Sequence, residues 1–320
     1  MLKRQATIIV AKPEAGQRLL DLLCRRFSYH TPAEWEAALA AGRLLLNGTP
    51  AAATTMLAAG DRLEYHFPEI AEPEVDAGYR ILFEDASLLA IDKPAGLPCH
   101  PAGKYFRNTL WALLHEQRGL EPVRILHRLD RETSGVVLVA KSEAAARAVQ
   151  RQFQEHLVRK TYLALVEGIF PGRIEALGWL APDPESRIRK KRRFLADGDP
   201  AAACLAPQTL EWSETTLCLE KAGKSISLVR VEPRTGRLHQ IRATLRSLGY
   251  PIVGDKLYGV DEQIFIHFID NTLSDEDRQR LRLARQALHA WRLRIFHPDS
   301  GQAMDFEAPM PQDFTRLLES

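Results

Sequence analysis

Cysteine is scarce: there are four in 320 residues, at positions 24, 99, 204 and 218, and no two lie closer than 14 positions. No C-x₂-C spacing exists to announce a zinc site, and a disulfide framework is out of character for a chain this long. Charge of one sign is also lacking, since 43 Lys+Arg nearly cancel 41 Asp+Glu. That balance neither demands nor excludes a polyanionic partner, because local patches outweigh the sum. Long hydrophobic runs are missing too. The opening, MLKRQATIIVAKPE, holds only the short apolar stretch Thr7–Ala11, and nothing approaches the roughly 20 residues of a membrane span. Gly223-Lys224-Ser225 looks like the end of a phosphate loop, but the glycine required five positions earlier is Cys218. No repeat or low-complexity segment is present. These absences read as a reduced, cytoplasmic, soluble protein with no metal and no membrane partner.

What is present is ordinary globular composition, 45% hydrophobic and 26% charged, at a length suited to two domains. The segment FPEIAEPEVDAG (67–78), acidic and interrupted by two prolines, reads as a linker. It separates an N-terminal unit, residues 1–75, from the remainder, 76–320. In the first unit Leu19, Leu20, Leu22, Leu23 and Phe27 form a helical stripe, and Thr31-Pro32 opens a second helix with its cap and first position. A strand then runs into an Asn47-Gly48 turn, and Gly60-Asp61 starts a last strand. This small α/β arrangement resembles the S4 RNA-binding domain in Gly16–Leu23, Gly42–Gly48 and Gly60–Asp61. One departure is the second helix, TPAEWEAALAAG, which carries Glu34 and Glu36 where S4 domains place basic side chains. Acid facing a phosphate backbone weakens binding.

Beyond the linker, residues 79–96 read as two strands around Glu84–Ser87, and VVLVA (136–140) as a buried strand. Ser142 is placed to cap a helix whose Ala146, Val149, Phe153 and Leu157 share a face. KTYLALVEG and ISLVRV follow as strands. The spacing then predicts a helix with Leu238, Ile241, Leu245 and Leu248 inward, stopping at Gly249, and a terminal hairpin turning at Pro298–Gly301. Strands dominate and helices interrupt them irregularly. The expected fold is α+β, with a mainly antiparallel sheet and flanking helices.

Two polar constellations stand out. ILHRLDRETSG (125–135) packs charge directly before an apolar strand; it reads either as a charged turn or as a site. In RTGRLHQIRATLRSLGYPIVGD (234–255), His239, Arg242 and Arg246 follow helical spacing opposite the leucines. They form either a solvated basic face or an arginine reaching a buried carboxylate from elsewhere. A third feature, RIRKKRR (187–193), has six basic side chains in seven and suits an RNA backbone contact by counterion release. Cys99-His100, His289 and Trp291 are read as packing, and Asp255 as a turn residue.

Taken together, DKPAGLPCHP (92–101), HRLDRETSG (127–135), KTYLALVEG (160–168), TGRLHQIR (235–242), GYPIVGDKLYG (249–259) and RQALHA (285–290) resemble the ordered motifs of the RluA-type pseudouridine synthases, in the branch that bears an S4 domain. The resemblance implies that Asp130 is the essential aspartate, Arg242 its ion-pair partner and Tyr162 the tyrosine stacked on the target base. Arg128 would enter the RNA stack vacated by a flipped uridine. His127 and His239 would support the site from behind, and Arg187, Arg189, Lys190, Lys191, Arg192 and Arg193 would hold RNA. The implied partner is RNA, ribosomal RNA of the large subunit ahead of transfer RNA, with no cofactor and a monomeric enzyme. Departures are Thr244 and Tyr250, where the family often has histidine, and Gly198-Asp199-Pro200, where it usually has Gly-Lys.

The chemistry agrees with those roles. Moving uracil from an N1 to a C5 linkage breaks a glycosidic bond and consumes no electron or group carrier. It calls for an ionised carboxylate near the anomeric carbon, whether that group attacks C1′ or removes the C2′ proton. A bidentate arginine lowers and orients such a carboxylate. Extruding the base costs a few kcal/mol, which an inserted arginine offsets in part. Two other readings remain open at this point. One is a non-catalytic RNA-binding or ribosome-assembly protein on the same scaffold. The other is a hydrolytic glycosidase, which needs a second carboxylate such as Glu132.

Overall fold

The computed structural model describes residues 4–27, 29–69, 71–203, 211–222 and 226–319. Cys204 and the Gly223-Lys224-Ser225 tripeptide therefore lie outside the described residues. The chain divides into two units, Met1–Pro73 and Glu74–Ser320.

In the first unit, β1 (Gln5–Ile9), α1 (Leu19–Arg26), α2 (Pro32–Ala40), β2 (Leu44–Leu46), β3 (Thr49–Pro50) and β4 (Arg62–His66) build a sheet of order β1-β4-β2-β3 under two helices. The leucine stripe of α1 faces inward, and Leu19, Leu22 and Leu23 pack with Trp35, Leu44 and Leu63. At roughly 1.5–3 kcal/mol per buried large side chain, that contact fixes the helix orientation. Thr31 caps α2 through the amide of Glu34, and the Glu34 carboxylate accepts from the Thr31 amide at 2.7 Å. One of the two helix acids is thus engaged in a capping box. Asn47 and Gly48 both take positive φ, 51° and 83°, as the tight β2–β3 turn demands. Strand β1 is not signalled by burial, because its residues are mostly exposed and it holds its place by pairing with β4.

The second unit runs β5 (Arg80–Glu84), β6 (Leu88–Lys93), α3 (Leu110–Arg118), β7 (Arg124–Ile125), β8 (Ser134–Ala140), α4 (Glu143–Gln154), β9 (Arg159–Glu167), β10 (Arg173–Pro182), β11 (Arg192–Ala196), α5 (Pro200–Ala203), β12 (Glu211–Ala222), β13 (Ile226–Pro233), α6 (Gln240–Ser247), α7 (Gln263–Ile269), α8 (Asp275–Leu281), β14 (Leu288–Phe296), β15 (Ala303–Glu307) and α9 (Gln312–Glu319). Its sheet has the order β11-β10-β12-β13-β9-β14-β8-β6-β5, with β15 on β14 and β7 on β8. Pairing is antiparallel throughout except between β8 and β14. This is the α+β architecture expected, with a mainly antiparallel sheet. Strands β6 and β8 are buried along their whole length; residues 88–91 and 136–140 are their apolar runs, while Asp92, Lys93 and Ser134 are buried polar residues. The β8–β14 crossing depends on Gly135: its φ is 111°, and a Cβ there would lie 2.2 Å from the Ala290 carbonyl oxygen.

Two helices are shorter than their leucine stripes suggest. Helix α4 ends before His156, which takes φ 57°, and Leu157 beyond it is 46% exposed while Val158 is buried instead. Helix α6 begins at Gln240, so Leu238 lies outside it and is 47% exposed. His239 is the residue preceding α6, at φ 57°, rather than part of a helical face with Arg242 and Arg246. No helix among the described residues is long and apolar enough to cross a membrane.

Candidate active site

Asp130 sits on the turn that feeds β8, closed by a Thr133 amide to Asp130 carbonyl bond of 3.1 Å. The turn is held from below by the DKPAG segment. The Gly96 amide donates to the Arg131 carbonyl at 2.8 Å, and the Lys93 ammonium donates to the carbonyls of Pro94, Leu97 and Arg131 at 2.8, 2.8 and 3.2 Å. Lys93 is fully buried, and burial pulls its pKa down to about 8.

Arg242 enters from the first turn of α6 and holds two carboxylates at once. Its Nη1 donates to Asp130 Oδ2 at 2.6 Å, while Nε and Nη2 donate to Asp255 Oδ2 and Oδ1 at 2.6 and 2.9 Å. Asp255 follows Gly254, whose φ is 72° and whose hypothetical Cβ would lie 2.0 Å from the Arg285 carbonyl oxygen. Asp255 also accepts the Leu257 and Tyr258 amides at 3.0 and 2.9 Å, so it does hold a turn. It also anchors the guanidinium, a role that its position after a glycine does not signal. Side-chain exposure is 0% for Asp255 and 29% for Asp130, which leaves Asp130 the carboxylate open to solvent.

Burial would push the Asp130 carboxyl up, but Arg242, His239 and a hydrogen bond from Gln286 outweigh it and hold the group below the usual carboxylate range. The same contest, won by Arg242, keeps Asp255 ionised. Arg242 gains more from the two carboxylates than it loses by burial and stays charged. Tyr162, on β9, is shifted upward by burial and then by the Asp130 charge, so it presents a neutral phenol.

A cavity of about 100 Å³, room for several waters at roughly 10–15 Å³ each, is lined by Arg128, Asp130, Tyr162, Arg237, His239 and Arg242, among others. Asp130 is its one carboxylate among the described residues. The structure therefore brings Asp130, Tyr162, Arg242, Arg128 and His239 together. His239 Nδ1 lies 3.0 Å from the Tyr258 hydroxyl, and that hydroxyl accepts the Arg192 amide at 2.9 Å. Burial, reinforced by Arg242, lowers the His239 pKa to about 4.

His127 is placed differently. It does not line the cavity. Its Nε2 accepts the Leu138 amide at 3.2 Å and its ring packs 5.5 Å from Phe153, with burial lowering its pKa to about 4. It joins β8 to α4. Glu132 turns away as well: Lys256 donates to both its oxygens, at 2.9 and 3.1 Å, and it is absent from the cavity wall. The hydrolase reading loses its second carboxylate there.

The basic run 187–193 is split. Arg187, Arg189 and Lys190 are exposed, with Lys190 also 5.1 Å from the Phe265 ring. Lys191 is turned inward, 2.5 Å from Glu262 and 3.8 Å from Asp183, and its side chain is 11% exposed. Arg192 and Arg193 lie half-buried on β11. Thr244 is fully buried and Tyr250 packs on Phe170 at 4.8 Å, so both departures from the expected motifs sit in packed positions. Among the described residues no group of three or more His, Cys, Asp or Glu is placed to hold a metal ion.

Residues 87–247 match the model of a family described as RNA pseudouridylate synthase. The chain is 38% identical over 247 residues to the ribosomal large subunit pseudouridine synthase D of Nitrosomonas europaea, covering 75% of this chain and 64% of that one. It is 32% identical over 317 residues to the protein of the same name from Neisseria meningitidis serogroup B, covering 95% and 78%. Among solved structures, human RNA pseudouridylate synthase domain containing 4 superposes with a TM-score of 0.56 at 25% identity, over 75% of this chain and 91% of that one.

Proposed function

The chain belongs to the RNA pseudouridylate synthase family and is a pseudouridine synthase; from that premise we propose that its substrate is large-subunit ribosomal RNA and that Asp130, Tyr162 and Arg242 carry the reaction. One observation supports the assignment above the rest. The single carboxylate on the cavity wall is solvent-accessible, ionised, and fixed at 2.6 Å by an arginine that a second carboxylate holds bidentate. An anionic oxygen so placed serves the cleavage of C1′–N1 at an oxocarbenium-like sugar. Asp255 keeps the guanidinium from drifting, and the neutral Tyr162 ring supplies a flat face for uracil. Uracil is retained and rejoined through C5; the C5 proton leaves and N1 takes up a proton, so the product is an isomer with the mass of the substrate. Arg128 is exposed at the cavity mouth, where its guanidinium can fill the stack left by the flipped nucleotide.

Large-subunit RNA is favoured over transfer RNA by the names of the relatives, which call them ribosomal large subunit synthases. Residues 1–75 are proposed as an S4-like RNA-binding unit, supported by two helices on a small sheet with the Asn47-Gly48 turn. A cytoplasmic location fits the scarcity of cysteine. A purely RNA-binding role is disfavoured by the family match, and positions 244 and 250, its original support, are packed against the protein. Mapping pseudouridines in cells with and without the gene tests the substrate. Sites lost from large-subunit RNA are expected; losses confined to transfer RNA would overturn the choice. Incubation of purified protein with uridine-containing RNA tests the chemistry: an isomer of unchanged mass is expected, and free uracil would indicate hydrolysis.

A further inference from the structure

The Pro233–Thr235 stretch that lines the site cavity also lines a second, larger cleft of about 910 Å³. Among the described residues its walls carry Arg159, Lys160, Arg173, Arg234, Arg292 and Arg294 against Glu232 and Asp305. Arg173 pairs with Glu175 at 2.6 Å. Arg159 on β9 and Arg294 on β14 are directly opposite in the antiparallel register, and Arg292 is two positions from Arg294 on the same face. Like charges facing across strands destabilise a sheet. Asp305 pairs with Arg294 at 2.7 Å and Glu307 with Arg292 at 2.8 Å, while the exposed Arg159 adds its charge to theirs. Lys160 is drawn into the wall between the two cavities, donating to the Thr235 carbonyl at 2.7 Å.

We propose that this cleft is the track for the RNA strand flanking the target uridine, its phosphates lying along Arg159 and Arg234. The proposal rests on the reading that the substrate is RNA. Three observations carry it. Arg159 and Arg234 are exposed on the cleft wall, where a polyanion can run past both. The cleft is many times larger than the site cavity, as a strand requires and a single base does not. It also shares the Pro233–Thr235 wall with the site, so a strand leaving the cavity meets it at once. Clustered guanidinium groups suit successive phosphates because each contact releases condensed counterions.

The test compares wild-type protein with the double variant Arg159→Ala/Arg234→Ala. Arg147→Ala is the control; Arg147 pairs with Glu143 on the exposed face of α4 and lines neither cavity. Affinity for a long uridine-containing RNA and for a trinucleotide centred on uridine is measured over a range of salt, with thermal unfolding to confirm folding. For the long RNA, the double variant is expected to bind at least about tenfold more weakly and to show a log–log salt slope shallower by about 1.4–1.8, for two lost phosphate contacts. The control is expected to match wild type, and trinucleotide affinity to stay unchanged. An unaltered slope, or an equal loss with the trinucleotide, would overturn the track. Isomerisation of the long RNA by wild-type protein is recorded in parallel. If the wild type isomerises and the slope does not move, only the cleft assignment fails. If the slope moves and no isomer forms, the cleft assignment stands and the substrate reading fails.

Discussion

Replacing Asp130 with asparagine removes a charge from the site and little else. The amide has the shape of the carboxylate, and Arg242 remains neutralised by its bidentate bonds to Asp255 at 2.6 and 2.9 Å. What is lost is one charge-assisted bond of 2.6 Å, exchanged for a neutral one. Bonds to charged groups contribute about 1.5–3 kcal/mol and neutral ones about 0.5–1.5, so the stability cost is about 1 kcal/mol. The catalytic cost is far larger. If the carboxylate works at the sugar, its loss removes stabilisation specific to the transition state, at least about 10²–10⁴-fold, which is about 3–5 kcal/mol at 1.36 kcal/mol per decade. RNA affinity should hold within about tenfold, since phosphate contacts dominate it. Arg242→Met provides the contrast, because it leaves the fully buried Asp255 and the partly exposed Asp130 without a cation. Removing one partner of a buried pair costs about 3–5 kcal/mol, so this variant should lose much of its fold along with its activity. Single-turnover conversion, RNA binding and thermal unfolding, measured on all three proteins, separate these effects. A folded Asp130→Asn protein converting within tenfold of wild type would refute the catalytic assignment. An Asp130→Asn protein as unstable as Arg242→Met would refute the shared-guanidinium account.

Tyr162→Phe keeps the ring and should keep RNA affinity, while Tyr162→Ala should lose about 1–3 kcal/mol of base stacking; equal losses of affinity in the two would contradict a stacking role. His127 and His239 have folded pKa values near 4, against 6.5 for the free group. Their contribution is complete above pH 6.5 and is lost as pH falls toward 4, because the unfolded chain binds up to two protons that the folded one refuses. The slope reaches at most about 2.7 kcal/mol per pH unit, and denaturant titrations giving the same stability at pH 7 and pH 5 would contradict it. Substituting Arg187 and Arg189 with alanine should flatten the salt dependence of RNA binding by about 0.7–0.9 per lost contact without affecting folding. Lys191→Ala should instead lower the melting temperature, since it strands Glu262; the reverse pattern would show that the run was divided wrongly.

Helices α1, α2, α4 and α6, most strands and both polar constellations could be read from spacing, because apolar periodicity and caps such as Thr31 and Ser142 are local signals, whereas α3, α5, α7, α8 and α9 were not read. The pairing of Asp130 with Arg242 across 112 positions was not a matter of spacing. It was reached through the motifs, and the structure supplies the distance. Asp255 was taken for a turn residue since its turn bonds are local, while its bond to Arg242 depends on how two segments meet. Arg237 on the cavity wall had the same weakness, a charged residue in a loop with no periodicity. Leu157 and Leu238 extended their helices by count, yet His156 and His239 turn left-handed, a conformation that non-glycine residues do not advertise. Lys191 was one basic residue among six until its acidic partner at 262 was located.

The strand order has a consequence for how the protein comes into being. β14 is completed only at Phe296, yet it lies between β9 and β8 in the middle of the sheet. A chain emerging from the ribosome makes β5, β6 and β8 first, then the β9–β13 group, and for that interval each group ends in an open edge. Asp130 belongs to the first group; Tyr162 and Arg242 belong to the second. The late strand pairs with β8 on one side and β9 on the other, and so joins the two groups. Such non-local closure is intrinsically slow, and the open edges are prone to wrong pairing while it waits. The strand groups that carry Asp130 and Tyr162 therefore share one sheet only once β14 has been made.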